Sequence, residues 1–432
     1  MRFRLSEIAA AVDGTVVGDD VEVDGVTIDS RDVGPGQLFV PIVAERDGHD
    51  FIEAALAAGS SAFLSAKSVT SGPAVEVGDT GTALRSLGVL SRSRLAGPVI
   101  GVTGSVGKTS AKDLLCSVLG TELRCAASLR SFNNELGVPV TLANAPDESE
   151  VAIIELGARG IDHIARLCKV AMPTIGVVTR IAAVHTSEFG SIDEVAVAKG
   201  ELVEALPSDG LAVLNADDPM VAALAARTRA KCLTYGRTGD VRHGDITLGD
   251  DLRPQFELIT PVGSIRVELS VAGLHQVSNA LAAAAVAQHL GVSLAHIAEG
   301  LATAELSPWR MEVARTKSGA VVINDSYNAN PTSMRAAFDA LSAIPAGRRI
   351  AVIGEMAELG ATSDADHRAI GAEAVDRGFE VIAVGTDYGV GIGVDDVDAA
   401  MSELGPVGEG DAVLVKASRV ASLELMARAL LA

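Results

Sequence analysis

At 432 residues the chain is longer than one hydrophobic core usually supports, so two or three domains are expected. Apolar residues make up 48%, charged residues 21% and aromatics only 3%, a balance that suits helices packed on parallel strands better than a β-sandwich. The formal charge of −21 argues against the extended basic surface of a general nucleic-acid or anionic-membrane binder, yet leaves room for local phosphate sites at helix N-termini. The N-terminus, Met1-Arg2-Phe3-Arg4-Leu5, lacks the apolar core of a secretory signal, and no uninterrupted apolar run reaches about 18 residues, so no membrane span is expected. Cys116, Cys125, Cys168 and Cys232 form no C-x-x-C pair; reduced thiols in a cytoplasmic protein are the expectation.

In chain order, an amphipathic helix carrying Leu5, Ile8, Ala9 and Val12 precedes the alternation Val21, Val23, Val26, Ile28. Gly34-Pro35-Gly36 marks a turn before the strand Leu38-Phe39-Val40; Phe51 to Ala58 reads as a helix closed by Gly59, ahead of the strand Ala62-Phe63-Leu64. Gly97-Pro98 marks a boundary. Beyond it, apolar strands at Val99–Thr103, Val151–Glu155, Ile175–Thr179 and Leu211–Asn215 alternate with helical patterns, which indicates a doubly wound parallel sheet. Phe256 to Val271 reads as a hairpin turning at Pro261-Val262-Gly263, and Leu274 to Leu290 as an Ala-rich helix. A second boundary lies near Leu306-Ser307-Pro308, after which strands at 320–325, 349–354, 381–385 and 412–416 repeat the rhythm.

The sharpest chemical signal is Gly104-Ser105-Val106-Gly107-Lys108-Thr109, followed by Ser110, between one strand and one helix. Backbone N–H groups of such a loop converge on phosphate oxygens, Lys108 reaches the terminal phosphates, and the Thr109 hydroxyl is available to Mg²⁺. The strict phosphate-loop pattern is broken by Val102, which stands where its first glycine belongs. Glu155 ends a strand whose carboxyl end faces the ligand crevice of a parallel sheet; it reads either as a metal-side carboxylate or as a solvated strand end. His185 reads as a structural histidine or a ligand, and Mg²⁺ prefers oxygen. Lys199, inside an apolar helical pattern, is a functional amine or a snorkelling surface lysine.

Taken together, these residues resemble the Mur ligase family. Thr103-Gly104-x-x-Gly107-Lys108-Thr109 is similar to the family's phosphate loop. Asp29-Ser30-Arg31 with Asp47-Gly48-His49-Asp50-Phe51 resembles its uridine-binding domain, and Ser131-Phe132-Asn133-Asn134-Glu135-Leu136-Gly137 is a long match. So are His185-x-x-x-Phe189-Gly190 leading to Ala198-Lys199-Gly200-Glu201, Gly273-Leu274-His275-x-x-x-Asn279 and Asp325-Ser326-Tyr327-Asn328-Ala329-Asn330-Pro331. Two departures stand out: Lys416-Ala417-Ser418-Arg419 has Ala where the family often has Gly, and the segment from Phe39 to Asp50 is compressed.

The resemblance implies an α/β, three-domain architecture: a small N-terminal UDP-sugar-binding domain (1–97), a central phosphate-loop domain with a parallel sheet (98–306) and a C-terminal Rossmann-like ligase domain (307–432). It implies ATP and two Mg²⁺ ions, with Thr109, Glu155, His185 and a carbamylated Lys199 at the metal. Lys108, His185 and Lys199 would be catalytic. Gly104 through Ser110, Asn279, Arg310, Asp325 and Tyr327 would bind nucleotide. Ser30, Arg31, Asn133, Asn134, Asn328 and Asn330 would bind substrate. The motif details are most similar to the member that adds D-alanyl-D-alanine to UDP-N-acetylmuramoyl-tripeptide in cytoplasmic peptidoglycan precursor synthesis, and a monomer is expected. The rivals are another amide ligase of the superfamily, folylpolyglutamate synthetases included, and a non-catalytic nucleotide switch; retention of Glu155, His185 and Lys199 together weighs against the switch.

Overall fold

The computed structural model describes residues 1–70, 72–128, 131–182 and 189–432. Near the N-terminus a five-stranded sheet runs in the order Thr15–Val17, Ala74–Glu76, Ala62–Ser65, Leu38–Phe39, Val26–Thr27; its first pair is antiparallel and the rest parallel. The alternation from Val21 to Ile28 breaks at Gly25 into two strands. Glu22–Asp24 pairs with Arg2–Arg4 instead of joining the larger sheet. The helix Leu5–Val12 forms as read, and the compressed segment turns tightly as a 3₁₀ helix at Gly48–Phe51, capped by the Asp47 side chain. A further helix, Thr80–Arg94, was not legible in the sequence: Gly81, Gly88 and four Ser or Arg positions in its second half blur its apolar stripe.

The central sheet is fully parallel, in the order Lys231–Tyr235, Leu211–Asn215, Ile175–Val178, Val99–Thr103, Val151–Glu155, Cys125–Ala127. Its middle strands are buried on both faces, which is why they read as unbroken apolar runs. The hairpin Pro254–Thr260 and Gly263–Glu268 forms as expected, extended by the short strands Arg242–His243 and Thr247–Leu248. The Ala-rich helix His275–His289 packs on the helix Lys108–Leu119; with only methyl groups at Ala280, Ala283, Ala284 and Ala287, the two axes can come close.

The C-terminal sheet runs Glu312–Arg315, Val321–Asn324, Asp411–Lys416, Arg348–Gly354, Glu380–Val384, Ile392–Val394, antiparallel only at its first pair. One core joins the N-terminal elements to a face of the central sheet through Leu84 and Leu87 of the helix Thr80–Arg94, Val138 and Leu142, and Ile164 and Leu167. The opposite face of the central sheet has its own core, and the C-terminal sheet has one on each side. The carboxyl ends of the central and C-terminal parallel strands face one cleft of ≈ 970 Å³, the place where open α/β sheets hold ligands. No helix among the described residues is long and apolar enough to cross a membrane.

Candidate active site

The loop from Gly104 to Lys108 follows the central strand Val99–Thr103 and opens the helix Lys108–Leu119. Gly104 (φ +148°) and Gly107 (φ +83°) occupy backbone conformations that other residues resist. A Cβ at Gly104 would stand 2.0 Å from Thr179 Oγ1, and one at Gly107 2.7 Å from Asn279 Oδ1. The loop is pinned from the neighbouring strand end: Ser105 N–H donates to Arg180 O at 2.7 Å and Thr179 Oγ1 donates to Val106 O at 2.6 Å. Lys108 Nζ donates to Gly104 O at 2.9 Å, so the ammonium already leans over the loop. Loss of hydration pushes its pKa down, partly opposed by Glu155 and reinforced by Arg310.

Thr109 is the hub. Its Oγ1 donates to Glu155 Oε2 at 2.8 Å and accepts from Arg310 Nη2 at 2.9 Å. Glu155 is 1% exposed, which removes the solvated-strand-end reading, and its other oxygen accepts from Asn133 Nδ2 at 2.8 Å. Arg310 arrives from beyond the central sheet. Its guanidinium stacks on the Tyr327 ring, 4.1 Å from the centroid, and Tyr327 Oη donates to Ser131 Oγ at 2.7 Å. The Arg310 Nε–H is buried and has no partner among the described residues, a donor left over for an anion.

Lys199, on the helix Ile192–Glu204, is 2% exposed, so the snorkelling reading fails. Burial first, then the charge of Lys108, lower its pKa to about 7, against the pull of Glu201 and Glu155. Glu201, two residues on, accepts the N–H groups of Asp162 and Ala165 and anchors the loop bearing Arg159. His185 lies outside the described residues. Among those described, no three His, Cys, Asp or Glu side chains converge as a metal cluster. The hydroxyl of Thr109 and carboxylate of Glu155 are nevertheless hard oxygen donors suited to Mg²⁺, whereas the Lys199 amine as it stands is not.

Of the other nucleotide candidates, Ser110 and Asn279 line the cleft, with Asn279 Nδ2 donating to Gln276 Oε1 at 2.9 Å. Asp325 accepts from Lys416 Nζ at 2.5 Å and from Met311 N–H at 3.1 Å. Asn134, Asn328 and Asn330 reach the cleft, but the Oδ1 atoms of Asn134 and Asn330 are already used as caps for the helices Gly137–Ala143 and Pro331–Ala343. Ser30 and Arg31 do not line this cleft; they sit on the N-terminal unit, where the Arg31 fork on Asp29 holds that carboxyl at about 2. Ser131, Lys416, Arg159, His163 and Arg166 also face the cleft without having been singled out as site residues. Ser131 and Lys416 stand in the quoted motifs, which was the available signal; His163 and Arg166 lie on the polar side of the amphipathic helix His163–Ala171, whose apolar period marks its buried face but does not mark its polar side as a site, and Arg159 precedes it in a loop.

Two family models match in order, the Mur ligase middle domain over residues 102–287 and the Mur ligase glutamate ligase domain over residues 309–419. The chain is 40% identical to the UDP-N-acetylmuramoyl-tripeptide–D-alanyl-D-alanine ligase of Mycobacterium tuberculosis H37Rv, with 94% of this chain and 92% of that one covered. A crystal structure of MurF from Acinetobacter baumannii superposes with a TM-score of 0.91 at 30% identity, covering 100% of this chain and 99% of that one. MurF from Thermotoga maritima in complex with ADP follows at 0.83 and 27%, covering 94% and 96%. The two matched ranges contain the phosphate loop, Thr109, Glu155 and Arg310, and with 40% identity over nearly the full length the chain belongs to the Mur ligase family.

Proposed function

We propose that this chain is an ATP-dependent amide ligase that joins D-alanyl-D-alanine to the terminal carboxylate of UDP-N-acetylmuramoyl-tripeptide, releasing ADP and phosphate. Near-full-length identity to ligases of that name supports the substrate pair. One observation carries the chemistry: Lys108, Thr109, Glu155 and Arg310 converge at one end of a cleft whose other walls present amide and basic side chains. A nucleotide switch needs the first end only. The proposed use of ATP and a UDP-linked substrate supports a cytoplasmic reaction in peptidoglycan precursor synthesis.

The loop N–H groups and Lys108 would bind the polyphosphate, and Arg310 would meet the transferred phosphoryl group with the N–H that is otherwise unpaired. The substrate carboxylate attacks the γ-phosphorus and the bond to ADP breaks, giving an acyl phosphate with a far better leaving group than oxide. The dipeptide's neutral amine then adds to the carbonyl carbon, and phosphate leaves from the tetrahedral adduct together with the nitrogen's extra proton. Thr109 and Glu155, joined by His185, would hold Mg²⁺, which supplies positive charge to the polyphosphate. We further infer that Lys199 carries a carbamate: an amine with a pKa of about 7 has a substantial neutral fraction near pH 7 that can add to CO₂ and lose a proton, exchanging a misplaced cation for an oxygen donor. Asn279, Asp325 and Tyr327 are assigned to the nucleoside. Asn133, Asn134, Asn328 and Asn330 are assigned to the peptide, and Ser30 and Arg31 to the uridine end.

The test is ADP release with product mass, omitting ATP, Mg²⁺, UDP-muramoyl-tripeptide or D-alanyl-D-alanine in turn. Dependence on all four and a product extended by the dipeptide is the expected result. ADP release indifferent to both peptide substrates would refute the ligase reading.

A further inference from the structure

Arg310 is presented to Thr109 by a backbone that is left-handed on both sides of it: Trp309 has φ +63° and Met311 φ +54°. Residues with a Cβ avoid this region, and two of them around one arginine persist only when their surroundings hold them there. Met311 is held from within, buried in the core beneath the C-terminal sheet, with its N–H on Asp325 Oδ1. Trp309 is held from without. Its ring lies under the guanidinium of Arg419, 4.1 Å from the centroid, with Arg428 at 5.6 Å. Its N–H donates to Glu312 Oε1 at 2.8 Å, and its carbonyl accepts from Tyr327 N–H at 3.2 Å. Arg419 is itself fixed by Glu424 at 2.9 Å. Tyr327 closes the circuit, since the same residue that binds the Trp309 carbonyl carries the ring on which Arg310 stacks.

We propose that Trp309, clasped by Arg419 and Arg428, is a positioning residue for phosphoryl transfer: the clasp fixes the linker so that Arg310 points at Thr109 and Ser131. The cation–π contacts and the two backbone hydrogen bonds hold a conformation that glycine would reach freely but without an anchor. An anchor with no link to Arg310 would affect stability alone; the shared Tyr327 ties this one to the site. The inference rests on the reading of Arg310 as a phosphate-side group.

Kinetics and emission test it together, because Trp309 is the only tryptophan in the chain. Trp309→Gly keeps the left-handed backbone accessible and deletes the ring. It should lower kcat by roughly 10- to 100-fold with KM for ATP changed less than about 3-fold, and Trp309→Phe should restore most of the loss. Combined with Arg310→Ala, Trp309→Gly should add nothing to the single loss. Without turnover, Arg419→Gln should red-shift Trp309 emission and expose it to acrylamide quenching. ADP with Mg²⁺ should alter the emission of the unmodified chain and not that of Arg310→Ala. Full additivity, a Trp309→Gly kcat within about twofold of the parent, or emission indifferent to Arg419→Gln or to ADP overturns the positioning role. Absence of turnover in the parent chain, with the emission responses intact, would instead overturn the ligase reading.

Discussion

Lys199 is an amine buried in the cleft wall, and the consequence is a pH-dependent stability of defined sign. Its folded pKa of about 7 lies below the ordinary 10.5, so across that window the unfolded chain binds a proton that the folded chain has shed, and stability rises with pH. In carbonate-free buffer, urea unfolding at about pH 7 and about pH 10 should show this rise, and Lys199→Met should flatten it; an unchanged slope would place the amine in solvent. Lys108 makes a different prediction: Lys108→Ala should cut ADP release by about 10³-fold with the unfolding midpoint nearly unchanged, since the residue serves charge on the ligand, not the core. Ala417 was a concern in the sequence because it replaces a glycine, yet its φ is not left-handed, and its Cβ packs where Gly354 leaves room: a Cβ on Gly354 would stand 2.9 Å away. Gly354→Ala should therefore destabilise by about 1–3 kcal/mol in denaturant unfolding, with partial recovery in the pair Gly354→Ala, Ala417→Gly. Residue identity made the phosphate loop legible. It left Glu155 and Lys199 undecided because burial, which settles both, depends on the strands and helices that surround them.

At the scale of elements, the long apolar strands and the phosphate-loop helix were legible because burial on both faces and a glycine loop leave direct marks. The strand Cys125–Ala127 and the pairs Arg242–His243 and Thr247–Leu248 were not, since two or three residues carry no period. The helix Pro331–Ala343 starts on a cap followed by proline at the first turn, with a reciprocal bond: Asn330 Oδ1 accepts from Ser333 N–H at 2.9 Å while Ser333 Oγ accepts from Asn330 N–H at 3.0 Å. Asn330→Ala should cost about 1 kcal/mol by urea unfolding. Asn330 also lines the cleft, so the same variant should raise KM for the peptide substrates if its amide nitrogen meets them; a stability loss with unchanged KM would assign it to capping alone.

For the whole molecule, the proposed division into 1–97, 98–306 and 307–432 is supported unequally by the packing. The C-terminal sheet has one core wholly its own and a second that takes in only Leu252 and Ala272 from the central unit, and it also meets that unit through polar contacts around Thr109, Ser131 and Asp113, whose Oδ2 accepts the Ser307 N–H at 2.7 Å. The N-terminal unit is fused instead. Its helix Thr80–Arg94 lies on the helices Gly137–Ala143 and His163–Ala171, so closely that a Cβ on Gly88 would stand 2.8 Å from Pro139, and Asn144 pairs with both backbone groups of Val26 at 3.0 and 2.8 Å. Composition hinted at several domains but could not say which would share a core, because that depends on facing surfaces far apart in sequence. This fusion turns the molecule into a ruler. Because Ser30 and Arg31, proposed for the uridine end, sit on the same packed block as the phosphate loop, the span between the two would be fixed, and a peptide stem one residue short would then hold its carboxylate out of reach of the γ-phosphate however well its nucleotide was gripped.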